Sequence, residues 1–183
     1  NSAHTGATMG SCHRSNPGIT VSFSVGAKPQ KIQAERTWIA VGRRPRTDNL
    51  GLERTKIKVD RGFIKADSWM QTAEPGVYAI GDIVLGTPQL AHVGAMEGIV
   101  AVTRIAGKKG KPINPEHIPN ATYCHPEIGS VGLTEAKAEE AGYNIKVGKF
   151  PYTANSRAST VVQHTGFLKH TSDVDYGNIL VQH

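Results

Sequence analysis

The chain has 183 residues, 38% of them hydrophobic and 20% charged, a balance that suits a folded globular protein and excludes a collagen-like or low-complexity one. The net charge is +6, from 21 Lys and Arg against 15 Asp and Glu. The basic residues are scattered, with the densest groups at Arg43-Arg44-Arg46 and Lys108-Lys109-Lys111. They read as solvated loops, so no nucleic-acid partner is expected.

The start, "NSAHTGATMGSCHRSNPG", is polar and glycine-rich, unlike a signal peptide. It lacks an initiator Met, so a true N-terminus upstream is expected. No apolar run approaches the roughly 20 residues that span a bilayer, and no membrane partner is expected. Cys12 and Cys124 are far apart and neither belongs to a close pair. They form no disulfide framework and point to a reducing, cytoplasmic setting. Cys12-His13 has no second pair at zinc spacing, so no metal site is expected.

"ITVSFSV" (Ile19 to Val25) alternates apolar and polar residues as a half-buried strand does. "GAKPQ" (Gly26 to Gln30) reads as a turn. "KIQAERTWIAVG" (Lys31 to Gly42) reads as a second strand that ends in a buried apolar run, Trp38 to Val41. The loop "GRRPRTDNLGLE" follows, with a domain boundary expected near Arg46. "KIKVDRGFIKAD" (Lys56 to Asp67) predicts two short strands around an Asp-Arg-Gly turn.

Next comes "PGVYAIGDIVLGTPQLAHVGAMEG" (Pro75 to Gly98). Val77 to Ile80 reads as a buried strand that stops at Gly81-Asp82. From His92 to about Ala106, Val93, Met96, Ile99, Val100 and Thr103 fall near helical spacing, and Gly107 is a C-terminal stop. "GKKGKPINPEHIPNA" (Gly107 to Ala121) reads as a linker. "TEAKAEEAG" (Thr134 to Gly142) predicts a short helix with Thr134 as its N-cap. "KVGKFPY", "TGFLKHT" and "NILVQH" read as strands. The last runs into the chain end at His183, so a truncation is expected.

A strand that ends on glycine and an acid, with a helix start close behind, makes chemical sense at the carboxyl edge of an open sheet. Glycine lets a ligand approach the backbone. The acid accepts hydrogen bonds from ligand hydroxyls. The helix start offers free N–H groups and partial positive charge to an anionic end. The alternative is a tight turn in which Asp82 bonds its own backbone.

"GVYAIGD" with "QLAHVGAMEG" resembles the second flavin-binding stretch of the pyridine nucleotide–disulfide oxidoreductases. "VGRRPRTDNLGLE" resembles the strand and loop that leave their NAD domain. "TYCHPEIGSVGLTEAKAEEAG" with "KFPYTANSRA" is similar to the start of their interface domain, and most like the branch that oxidises protein-bound dihydrolipoamide. The resemblance covers about Gln33 to Val181 in continuous order.

It implies an α/β plus α+β fold: part of a two-domain FAD/NAD-binding flavoprotein with an α+β dimerisation domain, incomplete at both ends. Residues 1–45 would be the last strands of the NAD-binding domain, 46–115 the second segment of the FAD-binding domain, and 116–183 a truncated interface domain. Gly81, Asp82, Gln89, Leu90, Ala91 and His92 would bind FAD: Asp82 through the ribityl hydroxyls, and Gln89 to His92 along the isoalloxazine. Gly42 would let NAD pass close to the backbone. The implied partners are a second subunit and the lipoyl domains of 2-oxoacid dehydrogenase or glycine cleavage complexes. The family commonly has Met at the place of Gln89 and acids at the places of Ala95 and Met96.

The resemblance also implies parts that this sequence does not carry: Gly-x-Gly-x-x-Gly fingerprints, a close pair of redox cysteines, and a His/Glu acid–base pair. "HPE" (His125 to Glu127) only mimics that pair, because Ser130 stands where the acid belongs. No catalytic residue is therefore assigned to this chain. The parent would pass electrons from a dithiol through a disulfide and FAD to NAD⁺. The alternatives are a glutathione- or mercuric-reductase-like member, or a non-catalytic binding or assembly domain.

Overall fold

A computed structural model describes residues 3–182. The chain divides after Arg44 into two units.

The first unit is an antiparallel meander of β1 (Ala7–Arg14), β2 (Ile19–Val25) and β3 (Lys28–Ala34), in that order. β2 is half-buried along its whole length, as its alternation predicts. The turn to β3 is tighter than predicted. Val25 pairs with Lys28, which leaves only Gly26 and Ala27 between the strands, and Gly26 takes φ +59°. At the other end of β2, a Cβ on Gly18 would come within 2.5 Å of the Ala34 carbonyl oxygen, so only glycine fits. β1 escapes the sequence reading because its residues are small, polar and mostly exposed.

One expectation fails in this unit. Trp38 to Val41 form no strand and are not buried: Trp38 is 93% exposed and Val41 83%. A fully buried strand needs neighbours on both sides. Among the described residues none pairs with this run.

The second unit opens with the predicted hairpin, β4 (Val59–Asp60) and β5 (Phe63–Ile64). Arg61 and Gly62 sit between them at φ +50° and +85°, the left-handed pair that a two-residue hairpin turn requires. Ile64, Ala79 and Val84 are buried together, with Leu52, Ile57, Ala66 and Ile83 packed around them. Val77 to Ile80 is not the buried strand expected from its apolar run. It makes a single antiparallel bridge, Tyr78 to Gln71, and Ala79 is buried while Val77 and Ile80 are exposed. A single bridging neighbour covers only part of such a run.

Helix α1 (Ala91–Ile105) follows, and Gly107 takes the positive φ of a helix stop. The 107–121 linker holds a 3-10 turn at Pro115–His117, capped by Asn114. The rest is a five-stranded antiparallel sheet of β6 (Asn120–Thr122), β7 (Ile128–Gly132), β8 (Ile145–Pro151), β9 (Phe167–Asp173) and β10 (Ile179–Gln182). Its order is β6-β7-β10-β9-β8, so the last strand is central. Between β7 and β8 lies α2 (Glu135–Glu140), whose N-cap Thr134 accepts from the Lys137 N–H as predicted. Between β8 and β9 lies α3 (Ser156–Thr160), capped by Asn155.

Candidate functional site

The site grows out of the small core of the second unit. β5 continues into a parallel bridge between Ile64 and Val84, and the Leu85 N–H donates to the Ile64 carbonyl at 2.9 Å. On the other side the Ala79 N–H donates to the Met70 carbonyl at 3.0 Å. These bonds hold both ends of the segment 79–85. Between them the backbone leaves an extended Ile80 and turns through a 3-10 helix at Gly81–Ile83. Gly81 has φ +78°, and a Cβ there would meet nothing within 4 Å. It is the backbone angle, rather than crowding within this unit, that calls for glycine.

Of the residues named from the sequence, Gly81 and Asp82 lie in this turn, Gln89 and Leu90 lie just before α1, and Ala91 and His92 open the helix. The Gln89 side chain donates to the Asp82 carbonyl at 3.1 Å and so ties the two halves of the loop. Leu90 is the N-cap of α1 and supplies no side-chain cap. Its carbonyl takes the Val93 and Gly94 N–H groups at 3.0 and 3.1 Å. Ala91 and His92 open the helix with no acidic residue in the first turn, so no acid of the helix itself offsets the positive end of its dipole. His92 Nε2 lies 2.9 Å from the Pro119 carbonyl oxygen. Beside it, His92, Val93, Met96 and Val100 form one wall of a cavity of about 350 Å³, and residues 111–114 and 117–119 form the other. Gly42 lies in the first unit, exposed, at φ +114°.

Sequence reasoning missed Glu97. It belongs to the buried stripe of α1 with Val93, Val100 and Ala101, and it is 0% exposed. Its Oε2 accepts the Gly81 N–H at 2.5 Å. The signal was available: Glu97 stands four residues after Val93 and three before Val100, on the helical period of the apolar face.

The other face of α1 is apolar as well, with Met96, Ile99, Val102 and Ile105 all exposed. Cys12 and Cys124 are both free and exposed. Among the described residues, no helix is long and apolar enough to cross a membrane.

The Gly81–Asp82 turn is thus braced by α1 and stands next to a helix start with no side-chain N-cap, an arrangement open to an anionic ligand. The pyridine nucleotide-disulphide oxidoreductase family matches residues 3–98, and the dimerisation domain of that family matches residues 118–183. The chain belongs to this family.

Within it, the chain is similar to curated dihydrolipoyl dehydrogenases. That of Thermus scotoductus is 46% identical over 158 residues, 86% of this chain and 34% of its own length. That of Bacillus subtilis is 42% identical over 167 residues, 91% of this chain and 35% of its own length. The chain thus spans about a third of the length of these relatives. Among solved structures, LpdA from Mycobacterium tuberculosis superposes with a TM-score of 0.86 at 26% identity, over 96% of this chain and 38% of LpdA. The HOCl-induced flavoprotein disulfide reductase RclA from Escherichia coli shares the fold, with a TM-score of 0.80 at 24% identity over 93% of this chain and 39% of RclA.

Proposed function

We propose that this chain is the flavin-placing and subunit-pairing part of a dihydrolipoyl dehydrogenase, which passes electrons from protein-bound dihydrolipoamide through a disulfide and FAD to NAD⁺. The observation that carries the reading is the Gly81–Asp82 turn held beside the uncapped start of α1, in a chain 46% identical over 158 residues to one dihydrolipoyl dehydrogenase.

In this reading the Asp82 carboxylate accepts hydrogen bonds from the ribityl hydroxyls of FAD. Glycine at position 81 keeps a side chain out of the ligand's path. Gln89, Leu90, Ala91 and His92 line the isoalloxazine. The first N–H groups of α1 stabilise negative charge near the ring by roughly 1 kcal/mol. FAD, when bound, supplies the redox chemistry; the residues of this chain bind and orient it. Gly42, with no side chain, lets NAD pass along the backbone.

Residues 1–45 then belong to the NAD-binding domain, 46–115 to the FAD-binding domain and 116–183 to the interface domain. The last of these pairs two subunits, and lipoyl domains deliver the dithiol. The exposed, free cysteines suit a reducing, cytoplasmic compartment. The exposed apolar face of α1 suits an enzyme whose remaining residues cover it.

The test is to express the longest reading frame that contains this sequence and to assay it with dihydrolipoamide and NAD⁺. A yellow protein that produces NADH supports the proposal. A colourless protein, or a yellow one that reduces glutathione disulfide instead, overturns it.

A further inference from the structure

We infer that Glu97 is a positioning residue, whose buried carboxylate sets the pose of the Gly81–Asp82 turn against the start of α1. The inference rests on the reading that Asp82 and the helix start address one ligand.

Glu97 is 0% exposed among Val93, Val100 and Ala101. An aliphatic side chain would suit that stripe better, because a carboxylate there loses its water. What Glu97 makes in return is one directed bond: Oε2 takes the Gly81 N–H at 2.5 Å, while Oε1 is buried and accepts no hydrogen bond from the described residues. The bond therefore acts on a single point, the amide that opens the turn.

A second contact lies on the same face of the helix, three residues earlier, where a Cβ built on Gly94 would stand 3.1 Å from the Gly81 Cα. Gly81 is thus held by the hydrogen bond it donates to Glu97 and by close backbone packing from Gly94. Asp82 follows immediately, and its carbonyl is tied to Gln89 just before the helix. With Gly81 anchored to α1 and the Asp82 carbonyl tied to Gln89 at the far end of the loop, the direction of Asp82 relative to the Ala91 and His92 N–H groups is set by Glu97.

The experiment uses the ¹⁵N,¹³C-labelled 183-residue chain, with Glu97→Ala and Glu97→Gln beside the wild type. NMR follows amide exchange at Gly81 and the carboxyl carbon of Asp82. In the wild type, the Gly81 amide is protected. In Glu97→Ala its exchange quickens at least tenfold and the Asp82 carboxyl resonance moves, while amides of β8, β9 and β10 keep their shifts. Glu97→Gln retains an acceptor oxygen and recovers most of the protection.

Equal Gly81 exchange in wild type and Glu97→Ala overturns the inference. Should Glu97→Ala fail to fold, Glu97→Gln decides: a neutral oxygen in place of a carboxylate moves the Gly81 proton upfield, and an unmoved Gly81 resonance overturns the inference. FAD titration of the longest reading frame that contains this sequence is a separate arm. A full frame that binds no FAD counts against this segment as a flavin site, not against the role of Glu97.

Discussion

Gly94 of helix α1 lies so close to Gly81 that a Cβ on Gly94 would stand 3.1 Å from the Gly81 Cα. One turn further along, Gly98 has more room, with the Ile80 Cδ1 at 3.5 Å from its built Cβ. Both glycines are helical, where alanine is intrinsically favoured by about 0.5–1 kcal/mol. At Gly98 the neighbour is the end of a flexible side chain, so Gly98→Ala stabilises the chain by up to that amount. At Gly94 the neighbour is backbone, and overpacking of this kind costs about 1–3 kcal/mol. Gly94→Ala therefore destabilises, and it pushes the Gly81 turn outward. Paired urea melts of the two variants check the opposite signs.

Asp82 is exposed and lies within the turn. If it accepts from FAD hydroxyls, removal of its carboxylate loses a hydrogen bond to a charged group, worth about 1.5–3 kcal/mol. Asp82→Ala in the longest reading frame should weaken FAD binding by roughly 10- to 100-fold. Asp82→Asn should retain part of the affinity. Fluorescence titration of the apoprotein measures both.

The packing of β7 against β10 depends on Gly132. It has φ +97°, and a Cβ there would come within 2.1 Å of the Leu180 carbonyl oxygen. No rotamer relieves a clash with backbone. Gly132→Ala must part β7 from the central strand, at a cost of about 3 kcal/mol or more. Circular dichroism should show a large drop in melting temperature. Gly148→Ala, on β8 with nothing within 4 Å of its built Cβ, should leave the temperature nearly unchanged.

Lys169 on β9 reaches Glu135 at the start of α2 at 2.7 Å, with side chains 20% and 42% exposed. Glu135→Gln should cost about 0.5–1 kcal/mol at low ionic strength, and less in molar salt. The Arg54–Glu53 pair is longer, at 3.9 Å, and its side chains are 88% and 75% exposed. Its removal should not be measurable. Melts with and without salt separate the two.

The sequence is most legible where a local rule acts alone. Alternation marks β2, the Thr134 cap marks α2, and the spacing of Val93 and Val100 marks α1. It is less legible where the outcome depends on distant neighbours. Trp38 to Val41 and Val77 to Ile80 are both short apolar runs, and periodicity cannot say whether strands lie beside them. The first has no pairing partner among the described residues and the second has one bridge. At the site, the ingredients Gly81, Asp82 and the helix start were readable as a pattern. The brace was not read, because an acid on a helix is ordinarily solvated and Glu97 was not set against the apolar face it shares.

The uncovered run after β3 makes the chain divisible. From Glu35 to Arg46 the backbone has no regular structure, and Arg36, Arg43 and Arg46 are exposed along it. Segments of this kind enter a protease cleft without prior unfolding. Brief trypsin treatment should nick there and at Lys108 or Lys109 in the exposed 107–121 linker, and leave a resistant piece that retains the five-stranded sheet. Peptide bonds within β9 and β10 should survive far longer, so a time course on a denaturing gel would read the seam directly as a proteolytic map.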